Sequence, residues 1–334
     1  MKTWHLEEFG RENLHIEDVL RPEPGPDQIL VRTNAVSLNS RDKAIINGSY
    51  HDPVSFPLVP GSDLAGEVVS IGTKVTQFKP GDQVVSVFKP LWVDGVPTAD
   101  NQATLGSPLP GVLSEYVLLS EGGALIYPNY LTPAQASTLP VAAVTAWVGL
   151  FEAGVLTPGK TVLIQGSGGV SLFGLQLAIA YGSRVIAISR SVSKLPMLTQ
   201  LGASDVIDTV RHPSWEDEVM TLTGGMGADF TLEVLGGDSV QQSIAASASG
   251  GHIAIIGYME STAATISIPS LLGKQVNLQG ISVGSRKHMS NLLSFLEKHR
   301  IQPVVDATYD LSALPQALDH LARGPFGKVV LEVH

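Results

Sequence analysis

Thr161-Val162-Leu163-Ile164-Gln165-Gly166-Ser167-Gly168-Gly169-Val170-Ser171 is the stretch on which the fold turns. Thr161 to Gln165 is a continuous apolar run, as expected of a parallel strand buried on both faces. A glycine-rich turn follows at once, and residues 170–181 read as a helix. The turn is a G-x-G-x-x-S form of the fingerprint that binds dinucleotides. Gly166 makes the tight turn and Gly168 lets the backbone approach a pyrophosphate. Ser167, Gly169 and Val170 complete a loop whose free N–H groups, with the helix dipole, hold the anion. Ser171 stands where a third glycine is usual, and it is small enough for close helix–strand packing. Gly174, one turn on, helps that contact. A bare glycine match carries little weight, but here the strand before, the helix after and the strands that follow supply the context.

Working outward, the pattern repeats. Apolar strands are expected at 184–189, 205–208, 229–235 and 252–256. Helices are expected at 194–201 (with Pro196 in the first turn), 214–222 and 239–247. Alternating strands and helices mean an α/β, doubly wound parallel sheet. Upstream, residues up to about 127 are rich in Pro and Gly. Short alternating strands at 28–35 and 65–71 are punctuated by Pro24-Gly25, Pro60-Gly61 and Pro80-Gly81. That is the signature of a small irregular β domain. Downstream of about 284 come helices at 289–298 and 311–321 and a strand at 328–333, expected to pack back on that first domain. The division is therefore 1–127 with 284–334, and 128–283.

Composition excludes several classes. The 334 residues carry 44% hydrophobic and 16% charged side chains, an ordinary globular balance for two domains. The net charge of -10, with no basic stripe, argues against nucleic-acid binding. There is no cysteine, so disulfides, thiolate zinc sites and cysteine nucleophiles are all ruled out. Residues 1–10 show no signal-peptide pattern, and the apolar stretch 139–151 is too short and mixed to span a bilayer. The expectation is a soluble cytoplasmic protein without membrane partners.

The second strand identifies the dinucleotide. NAD-binding versions end that strand in Asp or Glu to hold the ribose hydroxyls. Here it ends in Ser189-Arg190-Ser191, with Lys194 close behind. Arg190 can grip a 2′-phosphate with its bidentate fork, Ser189 can donate a hydrogen bond, and Lys194 adds charge. These groups favour NADPH. The alternative is that Arg190 and Lys194 are solvated charges at a helix start.

Longer segments carry a resemblance. Val59-Pro60-Gly61-Ser62-Asp63-Leu64-Ala65-Gly66-Glu67-Val68, Phe78-Lys79-Pro80-Gly81-Asp82-Gln83-Val84, the phosphate loop, Leu222-Thr223-Gly224-Gly225 and Gly327-Lys328-Val329-Val330 run through nearly the whole chain. Together they resemble the medium-chain dehydrogenase/reductase superfamily, in its zinc-free, quinone-oxidoreductase-like branch (also described as zinc-type alcohol dehydrogenase-like). The resemblance implies a GroES-like catalytic domain, a Rossmann domain, an active site in the cleft between them, and a homodimer formed through the last Rossmann strand, expected at 276–283.

The same resemblance places the zinc-ligand slots at Asn39, Ser62 and Val141, where Val141 has no donor atom and the other two are weak neutral oxygens. The structural zinc lobe is replaced by a Pro/Gly-rich loop over 89–111, and His5 and His51 are isolated. No metal is expected. Without a Lewis acid a plain ketone is hard to activate, whereas a quinone or an α,β-unsaturated carbonyl accepts hydride if hydrogen bonds steady the oxyanion.

By resemblance, Asn39 and Tyr50 face nicotinamide and substrate. Asn39 can donate to a carbonyl oxygen. Tyr50 can stack on a ring or supply a proton, or else be a packed loop aromatic. Arg41 and Asp42 read as a structural ion pair. Thr145, Leu235, Gly257, Ile281 and Val283 match cofactor-lining positions, Tyr258 can cover the adenosine or the pyrophosphate, and Lys328 matches a lysine near the cofactor or is a solvated strand-end charge. Phe88 and Trp92 can shape specificity. Three functions follow: an NADPH-dependent reductase of quinones or activated alkenes, a metal-independent carbonyl reductase or alcohol dehydrogenase, and a non-catalytic NADPH-binding protein.

Overall fold

A computed structural model of the chain describes residues 1–50 and 54–334, so His51 lies outside the described residues. The chain divides into two compact units, Met1–Val144 with Gly284–His334, and Thr145–Val283. The segment from Gly284 belongs to the same unit as the amino-terminal residues, and that unit reaches to Val144. The reason is that the helix Pro133–Ala136 packs on the strands Gln28–Ser37 and Asp63–Ile71 of the first unit.

The second unit is a six-stranded parallel sheet in the order Asp205–Asp208, Arg184–Ser189, Thr161–Gln165, Ala228–Glu233, Ser247–Ile255, Asn277–Gly280. The chain starts in the middle and winds outward in both directions, which leaves a crevice at the carboxyl end of Thr161–Gln165. The central strands bury both faces: Val162, Leu163, Ile164, Val185 and Ile186 are fully buried. The helix Gly169–Ala180 follows the phosphate loop, and Leu195–Gln200 carries Pro196 in its first turn. The strand Ala228–Glu233 ends earlier than its apolar pattern suggests, because Glu233 turns its carboxylate back on the N–H groups of Leu235 and Gly236, at 2.9 and 3.1 Å. The last strand is shorter than expected, Asn277–Gly280.

The first unit is β-rich. A sheet runs Val305–Asp310, Lys328–Glu332, Gln28–Ser37, Asp63–Ile71, Gln83–Ser86, Ala124–Ile126, and Tyr116–Ser120 pairs with the other half of Gln28–Ser37. Its core includes Ile29, Val31, Val36, Leu38, Ile45, Leu64, Val84, Leu113 and Leu331. Two registers matter below. Ser37 lies opposite Asp63 on one side and opposite Val330 on the other. Both pairings are antiparallel, so extending the second brings Lys328 opposite Asn39.

Candidate functional site

In the second unit the phosphate loop is built as its sequence requires. Gly166 has φ 74°, a left-handed conformation that glycine adopts without cost. A Cβ on Gly168 would meet no atom within 4 Å, so the loop leaves open space there. No side chain caps the helix Gly169–Ala180, and its first-turn N–H groups and positive dipole end are available to an anion. Ser171 does more than fit, because its hydroxyl donates to Gln165 O at 2.6 Å and ties the helix start to the strand. Gly174 is needed for contact, since a Cβ there would fall 2.4 Å from Leu232 Cδ1. Ser167 is buried and Val170 half-buried.

At the end of the second strand the Ser189 hydroxyl is buried and accepts from Ser191 N at 3.1 Å. Arg190 is exposed and, among the described residues, pairs with no carboxylate. Lys194 lies within a short turn, Val192–Lys194, that leads into the next helix. Thr145 is buried. Gly257 lies so close to the neighbouring chain that a Cβ would sit 2.2 Å from Val234 O. Leu235, Gly257 and Ile281 are half-buried, Tyr258 is exposed, and Val283 is buried at φ 59°. A β-branched residue in that region is strained, and such strain concentrates at functional sites.

Sequence reasoning missed the group beneath this surface. Glu233 is fully buried and receives five donors: Leu235 N, Gly236 N, Gln165 Nε2 at 2.7 Å, Ser239 Oγ at 3.0 Å and Ser243 Oγ at 2.5 Å. Gln165 Oε1 in turn accepts from Val234 N. The loop after the strand is thus held by a carboxylate rather than by packing alone. The signal was an acid closing an otherwise apolar strand.

In the first unit the structure gathers residues that are far apart in sequence. Lys328 is only 4% exposed, and its ammonium donates to Leu38 O at 2.7 Å and to Asn39 Oδ1 at 2.5 Å. Lys328, expected beside the cofactor, therefore commits its donors to Asn39 and the backbone before it. Asn39 caps the helix Ser40–Ile46, its N–H donating to Asp42 Oδ2 at 2.7 Å. Asp63 accepts from Ser62 Oγ at 2.7 Å and Val141 N at 3.3 Å. Asp42 and Asp63 are both fully buried, and sequence reasoning did not join them to Asn39 and Lys328.

Burial sets the acidities. It pushes the Asp42 carboxyl up to about 6, Asp63 adding to the rise, while Arg41, the Asn39 N–H and Lys328 oppose it. Burial also raises Asp63 against the pull of Lys328, Asn39 and Ser62. It lowers Lys328, which Asp63 and Asp42 hold up.

Arg41 and Asp42 approach only to 3.9 Å. Arg41 instead donates to Leu105 O and Thr104 Oγ1, both at 3.0 Å, and its guanidinium faces the rings of Phe88 and Tyr50 at 4.8 and 5.1 Å. Tyr50 is half-buried against the core of this unit. Trp92 is buried too, its indole N–H donating to Gly95 O at 3.0 Å.

With this geometry in hand, comparison with known proteins is informative. A family model described as alcohol dehydrogenase GroES-like domain matches residues 25–129, and one described as zinc-binding dehydrogenase matches 169–298. A zinc-type alcohol dehydrogenase-like protein of Schizosaccharomyces pombe is 36% identical over 98% of both chains. The solved structure of a putative alcohol dehydrogenase from Sinorhizobium meliloti superposes with a TM-score of 0.95 at 44% identity, covering 99% of this chain and 98% of its own. The chain belongs to the medium-chain dehydrogenase/reductase superfamily. A quinone oxidoreductase of Rattus norvegicus is 27% identical over 99% of this chain and 97% of its own. The structure of an NAD-dependent alcohol dehydrogenase has a TM-score of 0.90 at 32% identity over the whole of both chains. The superfamily consists of oxidoreductases that use a pyridine nucleotide.

The zinc in two of these descriptions can be tested against the residues present. Asn39 Oδ1 is taken by Lys328, the Ser62 hydroxyl donates to Asp63, and Val141 has no donor atom in its side chain, its backbone N–H going to Asp63. An ammonium and three such groups do not fit a zinc ion, which needs lone pairs from several anionic or imidazole donors. No helix among the described residues is long and apolar enough to cross a membrane.

Proposed function

We propose that this medium-chain oxidoreductase is a metal-independent, NADPH-dependent reductase of quinones and α,β-unsaturated carbonyl compounds. The observation that carries the reading is the set of groups at the expected metal slots, where an asparagine, a serine and a valine stand in place of metal ligands and a buried lysine donates to the asparagine. Chemistry there relies on hydrogen bonds, which suits acceptors that are already activated. The name of the Rattus relative supports the same substrate class.

When bound, the cofactor supplies a hydride. The phosphate loop Gly166–Val170 and the helix start hold its pyrophosphate. Arg190 and Ser189 hold a 2′-phosphate, since no acid occupies the strand end where an NAD enzyme hydrogen-bonds the ribose. Glu233 fixes the loop Leu235–Gly236, and Thr145, Gly257, Ile281 and Val283 shape the nicotinamide pocket, with Tyr258 over the outer part of the cofactor. Asn39 is the hydrogen-bonding group that would steady negative charge on the oxygen of a bound acceptor. Tyr50 lines the substrate side, its ring held by Arg41. The reading extends to a cytoplasmic homodimer acting on a small molecule.

The test is NADPH oxidation with a quinone, an enone and a simple ketone, beside a titration of NADPH and NADH. Turnover of the quinone or enone alone is the expected outcome. Turnover of the ketone would favour a metal-independent carbonyl reductase or alcohol dehydrogenase, and silence with NADPH bound a non-catalytic role. NADH binding more tightly than NADPH would overturn the cofactor assignment, and the NAD-dependent relative makes that comparison necessary. Arg190→Ala is expected to weaken NADPH by roughly tenfold to a hundredfold, the worth of a charged hydrogen bond, and to leave NADH unchanged.

A further inference from the structure

We propose that Glu233 and Gln165 form a clasp that sets the carboxyl ends of three neighbouring strands in one arrangement, and that Glu233 is thereby a positioning residue for the dinucleotide. The inference goes beyond the single loop that Glu233 holds, and it rests on the reading that a pyridine nucleotide lies over these strand ends.

The first support is placement. Thr161–Gln165 and Ala228–Glu233 are neighbours in the sheet, and their parallel register, with Leu232 beside Ile164, brings Glu233 beside Gln165. The sheet winds outward in both directions from here, and such points are where sheets of this kind bind ligands. Both side chains are fully buried. Each of the three strand ends leads into a loop assigned above to the cofactor. Gln165 precedes the phosphate loop, and its backbone oxygen accepts from Ser171 in the first turn of the helix. Glu233 Oε1 holds the N–H groups of Leu235 and Gly236. The Glu233 backbone oxygen accepts from Ile256 N and Gly257 N at 2.8 and 3.2 Å, which ties in the end of Ser247–Ile255.

The second support is chemical. Among the described residues, all five groups that reach the Glu233 carboxylate are donors. A carboxylate has the lone pairs for them, whereas an amide would turn its own N–H groups against three of the five. Gln165 is the complement. Its Oε1 accepts from Val234 N at 3.1 Å, so its Nε2 faces Glu233, and the orientation of the amide is decided by its partners. Ser239 and Ser243, one helical turn apart, donate to the same carboxylate oxygen and close the network. Burying such a network costs desolvation that apolar packing would avoid, but a fully satisfied network admits one arrangement. Here that arrangement is the relative position of three cofactor loops.

The variants separate positioning from plain bracing. Glu233→Gln sets two amides face to face, and Gln165→Glu sets two carboxylates face to face. Each is expected to lower the thermal midpoint. Each is also expected to weaken NADPH or NADH, whichever the wild-type protein binds more tightly, by roughly tenfold to a hundredfold in titrations well below every midpoint. The exchange Gln165→Glu/Glu233→Gln again opposes one carboxylate to one amide and is expected to recover most of both losses. Folded single variants with wild-type affinity would make the pair a structural brace and overturn the proposal, as would an exchange that leaves affinity down. Hydrogen exchange on the wild-type chain tests the clasp without any substitution. The amides of Leu235, Gly236 and Ile256 are expected to open together, and the dinucleotide to slow all three; separate opening rates would overturn the clasp. A wild-type chain that binds neither dinucleotide would overturn the cofactor reading and this inference with it, whereas normal wild-type binding with unaffected variants would overturn the inference alone.

Discussion

Asp42 shows what a single buried carboxyl does to this protein. Its folded value, pushed up to about 6 by burial from 3.8, means that the folded chain binds a proton there which the unfolded chain has already released. Between about pH 4 and 6 the native state therefore holds more protons, and this contribution to stability falls as pH rises through that window. Asp42→Asn removes the dependence. Compared with wild type, the variant is expected to gain about 1–3 kcal/mol more at pH 7.5 than at pH 4.5, from a shift of roughly two units at 1.36 kcal/mol each. Any constant loss, such as a weaker bond to the Asn39 N–H, cancels in that difference. Denaturant unfolding at the two pH values is the measurement, and an equal effect at both would sink the argument. Lys328, lowered by burial, acts with the opposite slope, stability rising with pH in the alkaline range where the unfolded chain still holds that proton.

Among the elements, the glycines around the phosphate loop rank themselves by what surrounds them. A Cβ on Gly257 would meet the backbone oxygen of Val234 at 2.2 Å, which cannot move without breaking strand geometry. A Cβ on Gly174 would meet a side-chain methyl of Leu232 at 2.4 Å, which can rotate at some cost in packing. Alanine also repays about 1 kcal/mol of helix propensity at Gly174, and overpacking costs about 1–3 kcal/mol. Gly257→Ala is thus expected to destabilise by several kcal/mol and Gly174→Ala by about 1 kcal/mol, read as denaturant midpoints at constant slope; the reverse order would contradict these contacts. This scale also shows what the sequence made legible. Thr161–Gln165, Arg184–Ser189 and Asp205–Asp208 match the structure residue for residue, the first two because strands buried on both faces write themselves as apolar runs. The strand Val305–Asp310 escaped, since its half-exposed alternation mixes small and polar residues, and the helix Ile268–Lys274 escaped because none of its residues is buried. Asn39 and Lys328 were each singled out, but their union was not. It depends on strand register between segments some 290 residues apart, which leaves no local pattern.

For the whole molecule, the open question is what meets the edge of the parallel sheet. Among the described residues, Asn277–Gly280 pairs as a strand on one side only, with Ser247–Ile255, and its other edge is an open sheet edge. Asn277, Gln279 and Gly280 are exposed, with no lysine or proline on the strand to discourage pairing. The preceding helix Ile268–Lys274 exposes Ile268 and Leu272, at 58% and 68%. An edge strand beside apolar side chains is an arrangement that a second copy of the chain would cover, strand against strand, around a two-fold axis. The expected result of sedimentation equilibrium is a mass of twice 35.3 kDa. Leu272→Glu is expected to shift that mass toward the single chain by placing a charge in the covered patch. The phosphate loop at Gly166–Val170 lies on other strands of the sheet, so NADPH affinity in the variant should be unchanged. A wild-type chain that sediments at 35.3 kDa across the concentration range would leave the edge strand free and the homodimer without support.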